Sequence, residues 1–107
     1  MYYHSPEDRD IKELAPGVRA RSFWGENLML LLVDFDPQAA VPSHQHPHEQ
    51  AGTVLSGELE FTIGGKQRML RAGDLYFIPS QVEHSARSLG SAAQVMDVFT
   101  PIRQDLK

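Results

Sequence analysis

What most constrains this chain is how often its apolar runs are interrupted. From Phe23 onward they are short and stop at Gly, Pro or Asp: 27–36, 52–55, 58–63, 67–71, 75–78, 83–88 and 94–100. A core helix needs a period of 3.6 sustained over ten or more residues, and no stretch here provides it; only residues 6–14 have room for a turn or two of helix. The runs alternate instead. Leu59, Phe61 and Ile63 share one face of an extended chain, and Glu58, Glu60 and Thr62 share the other, the pattern of a half-buried strand. Gly64-Gly65 falls between two such runs, where a two-residue hairpin turn demands positive φ. Ser56-Gly57 and Ala72-Gly73-Asp74 mark further turns. Many short strands with regular turns in a chain of this size predict an all-β sandwich or barrel.

The chain has 107 residues, enough for one domain and no second. At that size about two-thirds of the unfolded surface is buried on folding, so a core can stand without staples. Cys is absent, which excludes disulfides, thiolate metal sites and Cys nucleophiles. A net charge of −4 argues against a general nucleic-acid binder, which needs a basic excess. The longest apolar run, Leu28–Val33, is far too short to span a membrane, and Met1-Tyr2-Tyr3-His4 has no signal-peptide character. The expectation is a cytoplasmic protein that engages neither nucleic acid nor membrane. Both alternating faces of Leu28–Val33 are apolar; one fills a core, so Leu28, Leu30 and Leu32 need cover from the N-terminal segment or from a second subunit. A homodimer is expected.

Three of the five histidines fall within five residues, His44-Gln45-His46-Pro47-His48, followed by Glu49-Gln50. Residues two apart on a strand face the same way, so His44 and His46 can converge on one ion. Pro47 cannot donate to a ladder and should end or bend that strand, leaving His48 and Glu49 at the turn, exposed or outside the set that touches the ion.

These residues resemble the two motifs of the cupin superfamily. The first is His44-x-His46, three residues, Gln50, six residues, Gly57; the second is Gly73, five residues, Pro79-Ser80-Gln81-Val82-Glu83-His84. The resemblance covers residues 16–103 and implies a cupin double-sheet (jelly-roll) β-barrel in a single domain. The expected division is an N-terminal arm with short strands (1–22), the barrel (23–103) and a tail (104–107). It further implies one divalent metal ion, Zn, Ni, Fe, Mn or Cu, with His44, His46, Gln50 and His84 at the four ligand positions. Three departures stand out. Gln81 replaces the second motif's second Gly, so its turn lacks an easy left-handed residue. Ser88 stands where many members have Asn. Gln50 replaces the usual Glu, leaving the ion's charge uncompensated and the site disposed toward an anionic ligand; otherwise Gln50 merely hydrogen-bonds and the ion has three ligands.

In the last run, period two puts Val95, Asp97 and Phe99 on one face and Met96 and Val98 on the other, and either set can be the inward one. An inward Asp97 needs a partner or a function. Asp97-x-Phe99-x-x-x-Arg103 after His-x-His-Pro-His-Glu-Gln resembles the small cupins of pectin degradation, which open 4,5-unsaturated uronates to linear keto forms. That resemblance implies a catalytic Asp97, with Phe99 and Arg103 binding the substrate, a small anionic molecule such as a sugar acid. The other functions considered are a metal-dependent cupin oxygenase, disfavoured by the missing carboxylate ligand, and a small-ligand-binding cupin without turnover. Arg87 is expected in solvent, opposite His84, and Tyr76 and Phe77 in the core.

Overall fold

The computed structural model describes residues 2–107. Ten strands follow one another: β1 (Lys12–Ala15), β2 (Val18–Trp24), β3 (Met29–Phe35), β4 (Ala40–His44), β5 (Glu49–Ser56), β6 (Glu58–Ile63), β7 (Lys66–Arg71), β8 (Leu75–Ile78), β9 (His84–Ser88) and β10 (Ala93–Thr100). One-turn helices at Pro6–Asp8 and Gln104–Leu106 flank them. No helix among the described residues is long and apolar enough to cross a membrane.

The strands form two antiparallel sheets, of six strands in the order β1-β2-β3-β10-β5-β8 and of four in the order β4-β9-β6-β7. The fold is the all-β double-sheet barrel the sequence predicts. Alternation decides what faces inward: Met29, Leu31, Val33 and Phe35 of β3, and Ala93, Val95, Asp97 and Phe99 of β10, are all buried. The inner faces meet directly, Phe61 of β6 lying 4.4 Å from the Tyr76 ring of β8. Each large side chain buried in this way contributes roughly 1.5–3 kcal/mol. Between β6 and β7, Gly64 and Gly65 take φ values of 57° and 79°, the double positive φ of the tightest hairpin turn.

Strand β2 continues across residue 22, pairing with β3 without a break from Val18 to Trp24; of the expected arm, Met1 lies outside the described residues. In the expected tail, Leu106 is buried, and its carbonyl accepts a hydrogen bond from Ser22 Oγ at 2.5 Å. One local expectation needs correcting. Phe77 is not core. It is 71% exposed, because period two turns it outward when Tyr76 and Ile78 turn inward. Arg87 is exposed as expected and pairs with Glu60 at 2.6 Å. Ser88 is buried and bridges backbone groups of Asp36 and Ala39.

Candidate metal centre and catalytic cavity

Two inner rows of the six-stranded sheet set the floor of the site. In register across β3, β10, β5 and β8 they are Met29–Phe99–Gln50–Ile78 and Leu31–Asp97–Gly52–Tyr76. The histidines approach from the other sheet. His44 ends β4 and His84 begins β9, and the two are cross-strand partners with ring centroids 4.2 Å apart. His46 is not on the same strand as His44, as period two would have it, because β4 stops at His44. Its ring comes from the connection to β5 and stands 4.9 Å from that of His84 and 5.7 Å from Phe99. The Gln81 backbone N–H donates to the His46 carbonyl at 2.8 Å, which anchors the connection. Gln81 adopts φ 66° to do so, the left-handed conformation for which the motif ordinarily supplies Gly.

One ring nitrogen from each of His44, His46 and His84 lies within 4.8 Å of the others. The three rings share a second feature. Each Nδ1 lies against a backbone carbonyl: Pro42 at 3.0 Å, His48 at 3.0 Å and Val82 at 2.9 Å. A carbonyl cannot donate, so Nδ1 must carry the proton and Nε2 must offer its lone pair, the tautomer of a metal-ligating imidazole. The Nε2 of His84 is buried without a hydrogen-bond partner. The Nε2 of His46 faces Gln50 Oε1 at 3.2 Å; with the proton on Nδ1 both atoms are acceptors, and a cation between them resolves the conflict, as would a rotated amide. The donors therefore fit one divalent ion. Burial pushes His84 down to about 4 and also lowers His46 below its ordinary value, so both are neutral near pH 7.

His44, Gln50, His84, Asp97, Phe99 and Arg103 line a single cavity between the sheets. Asp97 faces inward, which decides between the two settings open for the last strand. Burial raises its carboxyl to about 6, against the pull of Tyr76, Gln50 and the Arg103 charge. Tyr76 Oη donates to Asp97 Oδ1 at 2.5 Å. Arg103 reaches the cavity from the segment after β10, with its guanidinium 5.2 Å from the Phe99 ring. One of its nitrogens bonds Asp105 at 2.9 Å, while Nε is buried without a partner. His48 is half-buried and Glu49 exposed, and neither belongs to the three-imidazole group. The site thus unites all seven residues singled out from the sequence. The three carbonyls that orient the imidazoles, Asp105, and the tyrosine on Asp97 were not foreseen. Only Gly52 hinted at the last, since Gly inside a strand often marks a close approach.

Comparison with known proteins agrees with this architecture. The family model for the cupin domain matches residues 31–99. The pectin degradation protein KdgF of Dickeya dadantii is 30% identical over 105 residues, covering 96% of each chain. The solved structure of KdgF from a Halomonas species superposes with a TM-score of 0.91 at 30% identity, covering 100% of this chain and 99% of that one. A cupin of the RmlC-like type from Shewanella frigidimarina gives 0.92 at 28% identity, covering 100% and 96%.

Proposed function

The chain belongs to the cupin domain family, and from that premise we propose that it is a metal-dependent isomerase that opens the ring of an unsaturated uronate, or a related sugar acid, to its linear keto form. The observation that carries this reading is the burial of a carboxylate, Asp97, in the same cavity as His44, His84 and Gln50. Similarity to two KdgF proteins, one of them described as a pectin degradation protein, supports the substrate class.

A divalent ion held by His44, His46, His84 and Gln50 supplies Lewis-acid polarisation of a substrate oxygen. The chain's own residues do the rest. Opening a 4,5-unsaturated uronate removes the anomeric hydroxyl proton and breaks the bond from C1 to the ring oxygen. The resulting enol at C5 becomes a ketone when C4 takes a proton. The reaction is an isomerisation, needs no oxidant, and lets one carboxylate take the first proton and return it at C4. Burial raises Asp97 to about 6 in the metal-free protein and the ion's charge opposes that rise, so the carboxylate is ionised near neutrality and can take the proton and return it. Arg103 offers its guanidinium to the substrate carboxylate, and Phe99 flanks the ring. Gln50, being neutral, leaves the centre's positive charge available to an anion.

Metal-loaded protein incubated with an unsaturated uronate should abolish the ultraviolet absorbance of the conjugated double bond. Asp97→Asn should keep its metal by elemental analysis and lose on the order of 10²–10⁴ in turnover, the usual worth of general acid–base catalysis. Full turnover by Asp97→Asn, or oxygen uptake in place of the absorbance loss, overturns the reading, the latter in favour of an oxygenase.

We propose that the chain assembles as a homodimer. On the outer face of the six-stranded sheet, Leu30–Val98–Ala51–Phe77 and Leu32–Met96–Thr53–Leu75 form two rows across four strands, apolar but for Thr53. The N-terminal segment covers only the flank of this face, where His4 packs on Phe23. Leu75 and Phe77, each 71% exposed, remain uncovered within one chain. These apolar rows, bordered on β2 by Phe23 and Arg21, suit isologous packing against a second copy.

A further inference from the structure

We propose that Tyr76 is a positioning residue for Asp97, lying across the side-chain space left empty at Gly52 to hold one carboxylate oxygen while the other serves the cavity. This rests on the role given to Asp97 above. The argument begins with register. Asp97, Gly52 and Tyr76 are consecutive partners across β10, β5 and β8, all on the inner face. Adjacent strands lie about 4.8 Å apart, so Tyr76 and Asp97 are two spacings apart and would ordinarily be separated by the side chain between them. Here that residue is Gly. A Cβ on Gly52 would collide with Asp97 Oδ1 and with Tyr76 Cζ and Oη, so the two side chains meet in the volume that any other residue would fill. The bond they make there, 2.5 Å, is short and charge-assisted when Asp97 is ionised. Phe61 packs on the Tyr76 ring from the opposite sheet at 4.4 Å and keeps the phenol in place.

Asp97 needs such a hold. The terminal torsion of an aspartate is broad and nearly two-fold, so packing alone leaves the choice of oxygen open. Engaging Oδ1 from the β8 side, together with the Gln50 side chain that also hydrogen-bonds the carboxylate, fixes the carboxylate plane toward the cavity. Tyr76 stands behind Asp97 and is not among the residues that line the cavity, so it acts through Asp97 rather than on substrate.

The test uses metal-loaded protein and an unsaturated uronate. Tyr76→Phe removes one oxygen and leaves the ring packed on Phe61; Gly52→Ala keeps both partners and forces them apart. Each should lower kcat about tenfold to a hundredfold, the usual range for loss of a group that orients a working residue, with KM within about twofold and metal content unchanged. In an Asp97→Asn background, Tyr76→Phe should reduce kcat no further. Unchanged kcat in both single variants, or effects that multiply in the double variant, overturns the proposal. A second measurement needs no turnover. In protein labelled with ¹³C at aspartate carboxyls, the Asp97 resonance is the one missing from Asp97→Asn. It should move in Tyr76→Phe, and an unmoved resonance overturns the proposal. Full activity in Asp97→Asn together with a moved resonance sinks the catalytic reading while leaving the hold of Tyr76 on Asp97 intact.

Discussion

Among the residues of the site, Gln50 is the one whose chemistry departs most from the family's usual ligand. Its amide oxygen sits 3.2 Å from the His46 nitrogen that offers a lone pair, and it carries no charge. Gln50→Glu should therefore retain or tighten the metal and weaken an anionic ligand. A unit charge at about 4 Å in an effective dielectric near 20 is worth roughly 4 kcal/mol before compensation, so the affinity for a uronate measured by calorimetry should fall at least about tenfold. The histidines set the metal's pH range. Ligands must be neutral to bind, and burial lowers His46 and takes His84 down to about 4. Protons thus compete below the ordinary histidine range, and metal should stay bound at pH 6 and be released between pH 6 and 4. Removing one imidazole, as in His46→Ala, should strip most of it at any pH. Elemental analysis after dialysis checks both outcomes.

At the level of the strands, short connections with demanding backbone geometry hold the register within each sheet. In the four-stranded sheet the β6–β7 hairpin is the cleanest case. Gly65 takes φ 79° with open space where a Cβ would stand, so Gly65→Ala adds backbone strain and no clash. Such strain costs about 1–2 kcal/mol, and the midpoint of thermal unfolding should drop by roughly 5–10 °C for a domain of this size. Metal content and turnover should be largely kept at 25 °C, because a Cβ at Gly65 meets open space, although the turn abuts the start of β9, where Gly64 N–H donates to the Glu83 carbonyl and Ile63 pairs with His84. The alternation of β6 and β10 was legible in the sequence, since period two survives in any strand with one buried face. The end of β4 at His44 was not: Pro47 suggested a later stop, and the convergence of His46 depends on its connection, tied to Gln81 from a distant turn.

For the whole molecule, the buried titratable groups oppose one another. His84 is lowered, so its contribution to the metal-free fold is complete above its unfolded value near 6.5 and is lost as pH falls toward 4. Asp97 is raised from 3.8 to about 6, so its contribution is complete below 3.8 and is lost as pH rises through 6. Over pH 4–6 the His84 and Asp97 slopes oppose, and His46, also lowered by burial, adds to the histidine side. Metal-free Asp97→Asn should unmask the histidine term: its denaturant midpoint should climb from pH 4 to 6 more steeply than that of the parent. The second whole-molecule prediction concerns assembly. Sedimentation at micromolar concentration should find a dimer, and Phe77→Glu should find a monomer with turnover on a uronate largely kept, because Phe77 points away from the cavity.

The sequence by itself determined the fold class and nominated the residues of the candidate site. Alternation and turn residues are local, the convergence of His44 and His46 was suggested by period two, and Gln50, His84, Asp97, Phe99 and Arg103 were nominated by the resemblance to cupin motifs. Tertiary structure decided everything that depends on registers between distant segments. Asp97 faces inward because β10 lies between β3 and β5 in a register that buries its odd-numbered residues. Tyr76 reaches it because β8 joins the same sheet with Gly52 in between. The imidazoles present Nε2 because each Nδ1–H donates to a carbonyl two residues away, contacts local in sequence but made only where the backbone bends to bring ring and carbonyl together. Strand-pairing partners are set by how the strands assemble, and no window of sequence contains them.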